Sequence, residues 1–96
     1  MKIKFTANAR RRLSQILDYQ GSKKGRKTTR SIAKSAKKLE DFPHLGQVEE
    51  ELKEEGKGHR YLLVGSLYKI IYFIAKPFIY ITDVFDTRQD SDKMKP

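Results

Sequence analysis

The charged residues with the greatest chemical potential here are the few set among apolar ones. From Arg60 to Phe85 the chain is mainly aliphatic and aromatic. Arg60 opens that stretch, Lys69 stands within it between Tyr68 and Ile70, and Arg88 follows it in Asp86-Thr87-Arg88. A cation embedded in an apolar strand needs a reason: an anionic ligand, or a stem that crosses apolar neighbours and delivers the head to water. Arg88 has a second choice, because Asp86 is two residues away on the same face of an extended strand and can pair with it. Proton transfer has fewer candidates. Of the two histidines, His44 and His59, the latter is better placed, beside Arg60 at a strand entry. Glu49, Glu50, Glu51, Glu54 and Glu55 precede it in a polar, glycine-punctuated stretch, where a carboxylate serves as a general base or simply as solubilising charge. There is no cysteine, which removes a thiolate nucleophile, a thiolate zinc site and a disulfide framework together. No cofactor or metal is expected.

The elements that must position these residues can be read from periodicity. Lys2–Phe5 alternates and predicts a short strand, and Thr6 is a suitable N-cap for a helix starting at the next residue. Ala9, Leu13, Ile16 and Leu17 recur on one face of that helix, with Tyr19 at its edge. Gly21-Ser22 and Gly25 interrupt the pattern. A second helix is expected from about Arg26 to Glu40, burying Ile32, Ala33, Ala36 and Leu39 and turning Arg30, Lys34, Lys37 and Lys38 outward. Pro43 and Gly46 close it, and Glu49–Gly58 is expected to be a surface loop with at most a helical turn. Beyond it, Gly65-Ser66 and Lys76-Pro77 punctuate three antiparallel strands, with Gly-Ser suited to a type II′ hairpin. The run Leu67–Ala75 is apolar almost throughout, so both of its faces should be covered. The helical hairpin can cover one; the other calls for a partner or a large substrate. Tyr61, Tyr68, Tyr72 and Tyr80 are assigned to packing rather than base stacking.

Ninety-six residues, 38% of them hydrophobic, allow one domain, residues 1–96, with one modest core and no deep pocket for a small metabolite. Neither a signal peptide nor a membrane span is expected, because the apolar stretch is broken by Lys69, Lys76, Pro77 and Asp83, and a cytoplasmic setting fits. The net charge of +9 is uneven: residues 1–38 carry thirteen Lys and Arg against the single acid Asp18, whereas residues 39–58 carry two against seven acids. So concentrated a basic surface suits a polyanion, either nucleic acid or an acidic protein.

Taken in order, the strand, the helical hairpin, Leu39-Glu40-Asp41-Phe42-Pro43-His44-Leu45-Gly46, Arg60-Tyr61-Leu62-Leu63-Val64-Gly65, Tyr68-Lys69-Ile70-Ile71-Tyr72 and Phe85-Asp86-Thr87-Arg88-Gln89 resemble the RelE/ParE toxin superfamily of bacterial type II toxin–antitoxin systems, which includes plasmid stabilisation proteins. The resemblance covers nearly the whole chain. It implies an α+β fold of order β-α-α-β-β-β, two helices packed on an antiparallel sheet, and an acidic antitoxin partner whose segment folds as it wraps the toxin. Two activities go with it. RelE-like members cleave messenger RNA in the ribosomal A site, and ParE-like members poison DNA gyrase.

In the cleaving branch, attack by the RNA 2′-OH needs a base, cations for the phosphorane and an acid for the leaving oxygen. The resemblance puts Lys69 at the strand position that commonly holds Arg or Lys, Arg88 at the basic position ending the last strand and Arg60 at the strand-entry arginine, all able to hold a phosphate; His59 is the substitute acid or base. Two departures stand out. Asp86 replaces a histidine common in relatives, and the tail after Arg88 has neither Tyr nor His. The expectation is therefore a ParE-like growth inhibitor. The alternatives are a ribosome-dependent endonuclease, or a non-catalytic relative that binds nucleic acid or only its antitoxin. Enzymatic activity turns on whether Lys69 and Arg88 share an open face with a base in reach.

Overall fold

Thr6 ends the first strand and starts the first helix. Its Oγ1 accepts the Ala9 N–H at 3.2 Å, and its own N–H donates to the Ile81 carbonyl at 2.9 Å, so the cap is also stitched to the sheet. The computed structural model describes residues 1–19 and 21–96. It contains β1 (Lys2–Phe5), α1 (Ala7–Tyr19), α2 (Ser22–Lys37), β2 (Gln47–Val48), β3 (Arg60–Val64), β4 (Tyr68–Ala75) and β5 (Phe78–Asp86), with 3₁₀ turns at Lys38–Glu40, Glu50–Glu55 and Ser91–Lys93. The expected order holds, with the short β2 as an addition. The strands lie as β1-β5-β4-β3-β2, with β1 parallel to β5 and the other neighbours antiparallel.

The second helix begins at Ser22 rather than near Arg26 and runs straight through Gly25. The glycine is there for contact, not to break the helix. A Cβ at Gly25 would stand 2.4 Å from the Leu17 carbonyl oxygen, so the two helix backbones touch at this point. Ile16, Ile32, Ala36 and Leu39 are buried as expected, Leu13 and Leu17 are half-buried, and Ala33 is exposed, one position off the inward stripe. On the sheet they meet Tyr68, Ile70, Tyr72, Ile79, Ile81 and Val84. Ile81 and Val84 share that side because β5 carries an extra residue, Thr82, between Asp83 opposite Ile71 and Ile81 opposite Tyr72; this bulge shifts the alternation by one.

The other sheet face departs from expectation. It is covered in part by the chain itself: Leu52 from the glutamate-rich segment and Met94 from the C-terminal tail pack on Ile71 and Phe85. Residues 49–58 are therefore a strap with a buried anchor, not a purely solvated loop. The β3–β4 connection also differs, since Val64 pairs with Tyr68 and leaves a three-residue loop instead of a two-residue type II′ turn. Gly65 does take the positive φ foreseen for it, 62°. No helix among the described residues is long and apolar enough to cross a membrane.

Candidate functional site

The alternation of β3 and β4 decides where the cations singled out in the sequence go. Arg60 is in register with Tyr72, on the helix-covered side of the sheet, and its Nη1 donates to the Gly46 carbonyl at 2.8 Å. The Tyr72 hydroxyl closes the same corner, accepting the Gly46 N–H at 2.9 Å and donating to the Pro43 carbonyl at 2.8 Å. Burial pushes the Tyr72 phenol up, which keeps its proton available for that bond. Gly46 is required here, because a Cβ would sit 2.5 Å from the Tyr61 carbonyl and 2.7 Å from the Tyr72 hydroxyl.

Lys69 has the opposite parity and projects from the other sheet face. Its Nζ is 2.8 Å from Glu49 Oε2 and 4.1 Å above the Tyr61 ring. Glu49 is buried, so its carboxylate depends on this ammonium and on the Glu51 N–H for compensation. Nothing in the run of five glutamates distinguishes Glu49; its partner is twenty positions away, and it takes the pairing of β2 with β3 and of β3 with β4 to bring them together.

Arg88 stands beyond the end of β5. It clasps Asp86 through Nε at 3.0 Å and Nη2 at 2.8 Å, while its backbone N–H donates to the same carboxylate at 2.9 Å. That grip holds the Asp86 carboxyl below the usual carboxylate range and raises the guanidinium. His59 is 1% exposed, edge-on to Phe73 with ring centroids 5.1 Å apart, and neither ring nitrogen has a hydrogen-bond partner among the described residues. Burial, aided by the charge of Lys57, pushes its imidazole down toward the neutral form.

Arg60, Lys69 and Arg88 thus occupy two opposite faces and one end of the sheet, each engaged with an acceptor of its own chain, and His59 is enclosed. No group of three or more His, Asp or Glu among the described residues is arranged to hold a metal ion. Residues 3–91 match the family described as "ParE toxin of type II toxin-antitoxin system, parDE". This chain belongs to the ParE toxin family. Among solved structures, a chain of the "Chromosomal ParDE TA system from P. aeruginosa" superposes with a TM-score of 0.74 at 22% identity, covering 90% of this chain and 95% of that one, a likeness of fold. No curated protein matches in sequence.

One residue of this ParE-family chain that was not among the sequence candidates ties its helices to its tail. Asp83, fully buried at the bulge, accepts Arg12 Nε at 3.1 Å and the Lys95 N–H at 2.9 Å. Thr82 adds a bond from its hydroxyl to the Lys95 carbonyl at 3.1 Å. A lone acid in an apolar strand was the available signal, equivalent to that of Lys69.

Proposed function

We propose that this chain is the toxin of a type II pair, acts in the cytoplasm as a growth inhibitor directed at DNA gyrase, and is neutralised by a cognate acidic antitoxin. The observation that carries the choice of target is the separation of Arg60, Lys69 and Arg88. Transition-state stabilisation of RNA cleavage needs cations converged on one phosphate, and these three are apart and internally paired, while His59 has no route to a substrate. The family match over residues 3–91 supports the toxin assignment independently of that geometry.

The antitoxin has a suitable place to dock. Phe42, Leu45 and Val48, on the segment that leads into and forms edge strand β2, are exposed, as is Leu63 on its neighbour β3. β2 covers only Arg60 and Tyr61, leaving the outer side of Leu62–Val64 open, whereas at the opposite edge the Ile3 N–H is occupied by the Glu40 carboxylate at 3.0 Å. An apolar, acidic segment would bury these side chains at the open edge and place its charge near the exposed basic residues of α2, Arg30 and Lys34. Expression in growing cells tests the target. Growth arrest with accumulated DNA breaks and intact messenger RNA is expected; codon-positioned messenger cleavage lost in Lys69→Ala or Arg88→Ala would establish the endonuclease instead. Arrest-free cells with antitoxin binding intact would mark an inactive relative.

A further inference from the structure

Where β4 begins and β5 ends, α1 and α2 overhang the sheet and leave two adjoining clefts of about 310 Å³ and about 1000 Å³ that share Tyr19, Tyr68 and Arg88. Four cations line them: Arg12 from α1, Lys24 and Lys27 from α2, and Arg88. Asp86 is the one carboxylate among the described lining residues. Arg12 meets Asp83 through Nε, and Lys24 and Lys27 make no ion pair among the described residues. The clefts therefore hold uncompensated positive charge on a wall rich in hydrogen-bonding groups. At their junction stands Tyr19, 81% exposed and without a ring contact among the described residues.

An exposed aromatic face beside spaced cations matches a polymer that alternates phosphates with flat bases. A peptide that folds on binding matches it less well, because the exposed aliphatic and aromatic residues such a peptide would bury, Phe42, Leu45, Val48 and Leu63, lie outside both clefts. We propose that this cleft binds a single-stranded nucleic-acid segment, with phosphates held by Lys24 and Lys27 and one base stacked on Tyr19. The site involves neither Lys69 nor His59, and it stands whether or not gyrase is the target.

Fluorescence anisotropy of the full chain with a short labelled oligothymidylate, and separately with its oligouridylate counterpart, tests it. Both should bind with salt-dependent affinity, and a preference for either names the polymer. Lys24→Ala/Lys27→Ala should weaken binding roughly tenfold and flatten the salt slope by about 1.4, at about 0.7 for each phosphate contact on a single strand. Tyr19→Ala should also weaken binding roughly tenfold, with the slope unchanged, because it removes stacking rather than charge. Lys34→Ala/Lys38→Ala removes equal charge from exposed positions outside the clefts and should leave affinity within about twofold. Equal losses from the two double variants, no loss with Tyr19→Ala, or displacement of the oligonucleotide by polyglutamate as readily as by unlabelled oligonucleotide would overturn the proposal. Circular dichroism melts of each variant establish that folding is retained.

Discussion

At the scale of single residues, the charges that attract attention in the sequence are largely compensated in the fold. Lys69 is the clearest case. Lys69→Met leaves the buried Glu49 carboxylate without its ammonium, and because Lys69 is partly exposed the cost should be about 2 kcal/mol, below that of a fully buried pair. Glu49→Gln combined with Lys69→Met should recover most of that loss in urea unfolding, whereas a purely surface lysine would show neither effect. His59 gives a prediction in pH. Its folded pKa lies below the unfolded value of about 6.5, so as pH falls through that value the unfolded chain takes up a proton that the folded chain resists. The unfolded state then binds more protons, and stability, fully present above that value, is lost as pH drops. The melting temperature should decline between about pH 7.5 and about pH 5.5, and His59→Phe, which keeps the contact with Phe73, should flatten the decline.

At the scale of elements, two glycines set distances that no hydrophobic pattern expresses. Gly46 lets the chain pass beneath Tyr72, and Gly25 brings α2 onto the backbone of α1. Gly25→Ala has no strained φ to explain a loss and gains helix propensity, yet its methyl would meet backbone rather than a yielding side chain. We expect a net cost of about 2 kcal/mol, read as a lower urea midpoint with little change in slope. The bulge at Thr82 is the other element-level device. It lets Ile81 and Val84 point to the same side and turns Asp83 into the clasp that holds the tail, so Met94 can plug the second face.

For the molecule as a whole, three surfaces stand out: an apolar rim by β2 and β3, a cationic cleft where β4 begins and β5 ends, and a second sheet face covered in part by the chain's own strap and tail. Val48→Asp with Leu63→Lys should lower antitoxin affinity by roughly tenfold to a hundredfold, since each change removes apolar burial and puts a charge that must be desolvated into the contact. It should leave the toxin's own melting temperature within a few degrees, because both side chains are exposed. Isothermal titration with the antitoxin, beside a melt of the toxin alone, separates loss of the interface from loss of the fold.

The sequence by itself determined the element order, the inward stripes of Ile16, Ile32, Ala36 and Leu39 and the turn role of Gly65, and offered the Asp86–Arg88 pair as one of two readings, because all of these rest on local periodicity or on neighbours two residues apart. It also carried the family, through short patterns in a fixed order. Only the tertiary structure decided that Arg60 and Lys69 lie on opposite faces, that Lys69 answers Glu49, that His59 is enclosed and that the chain covers its own second sheet face with Leu52 and Met94. Each of these depends on strand register, where a shift of one residue exchanges the two faces, or on a contact between segments far apart in sequence. Composition and spacing record neither.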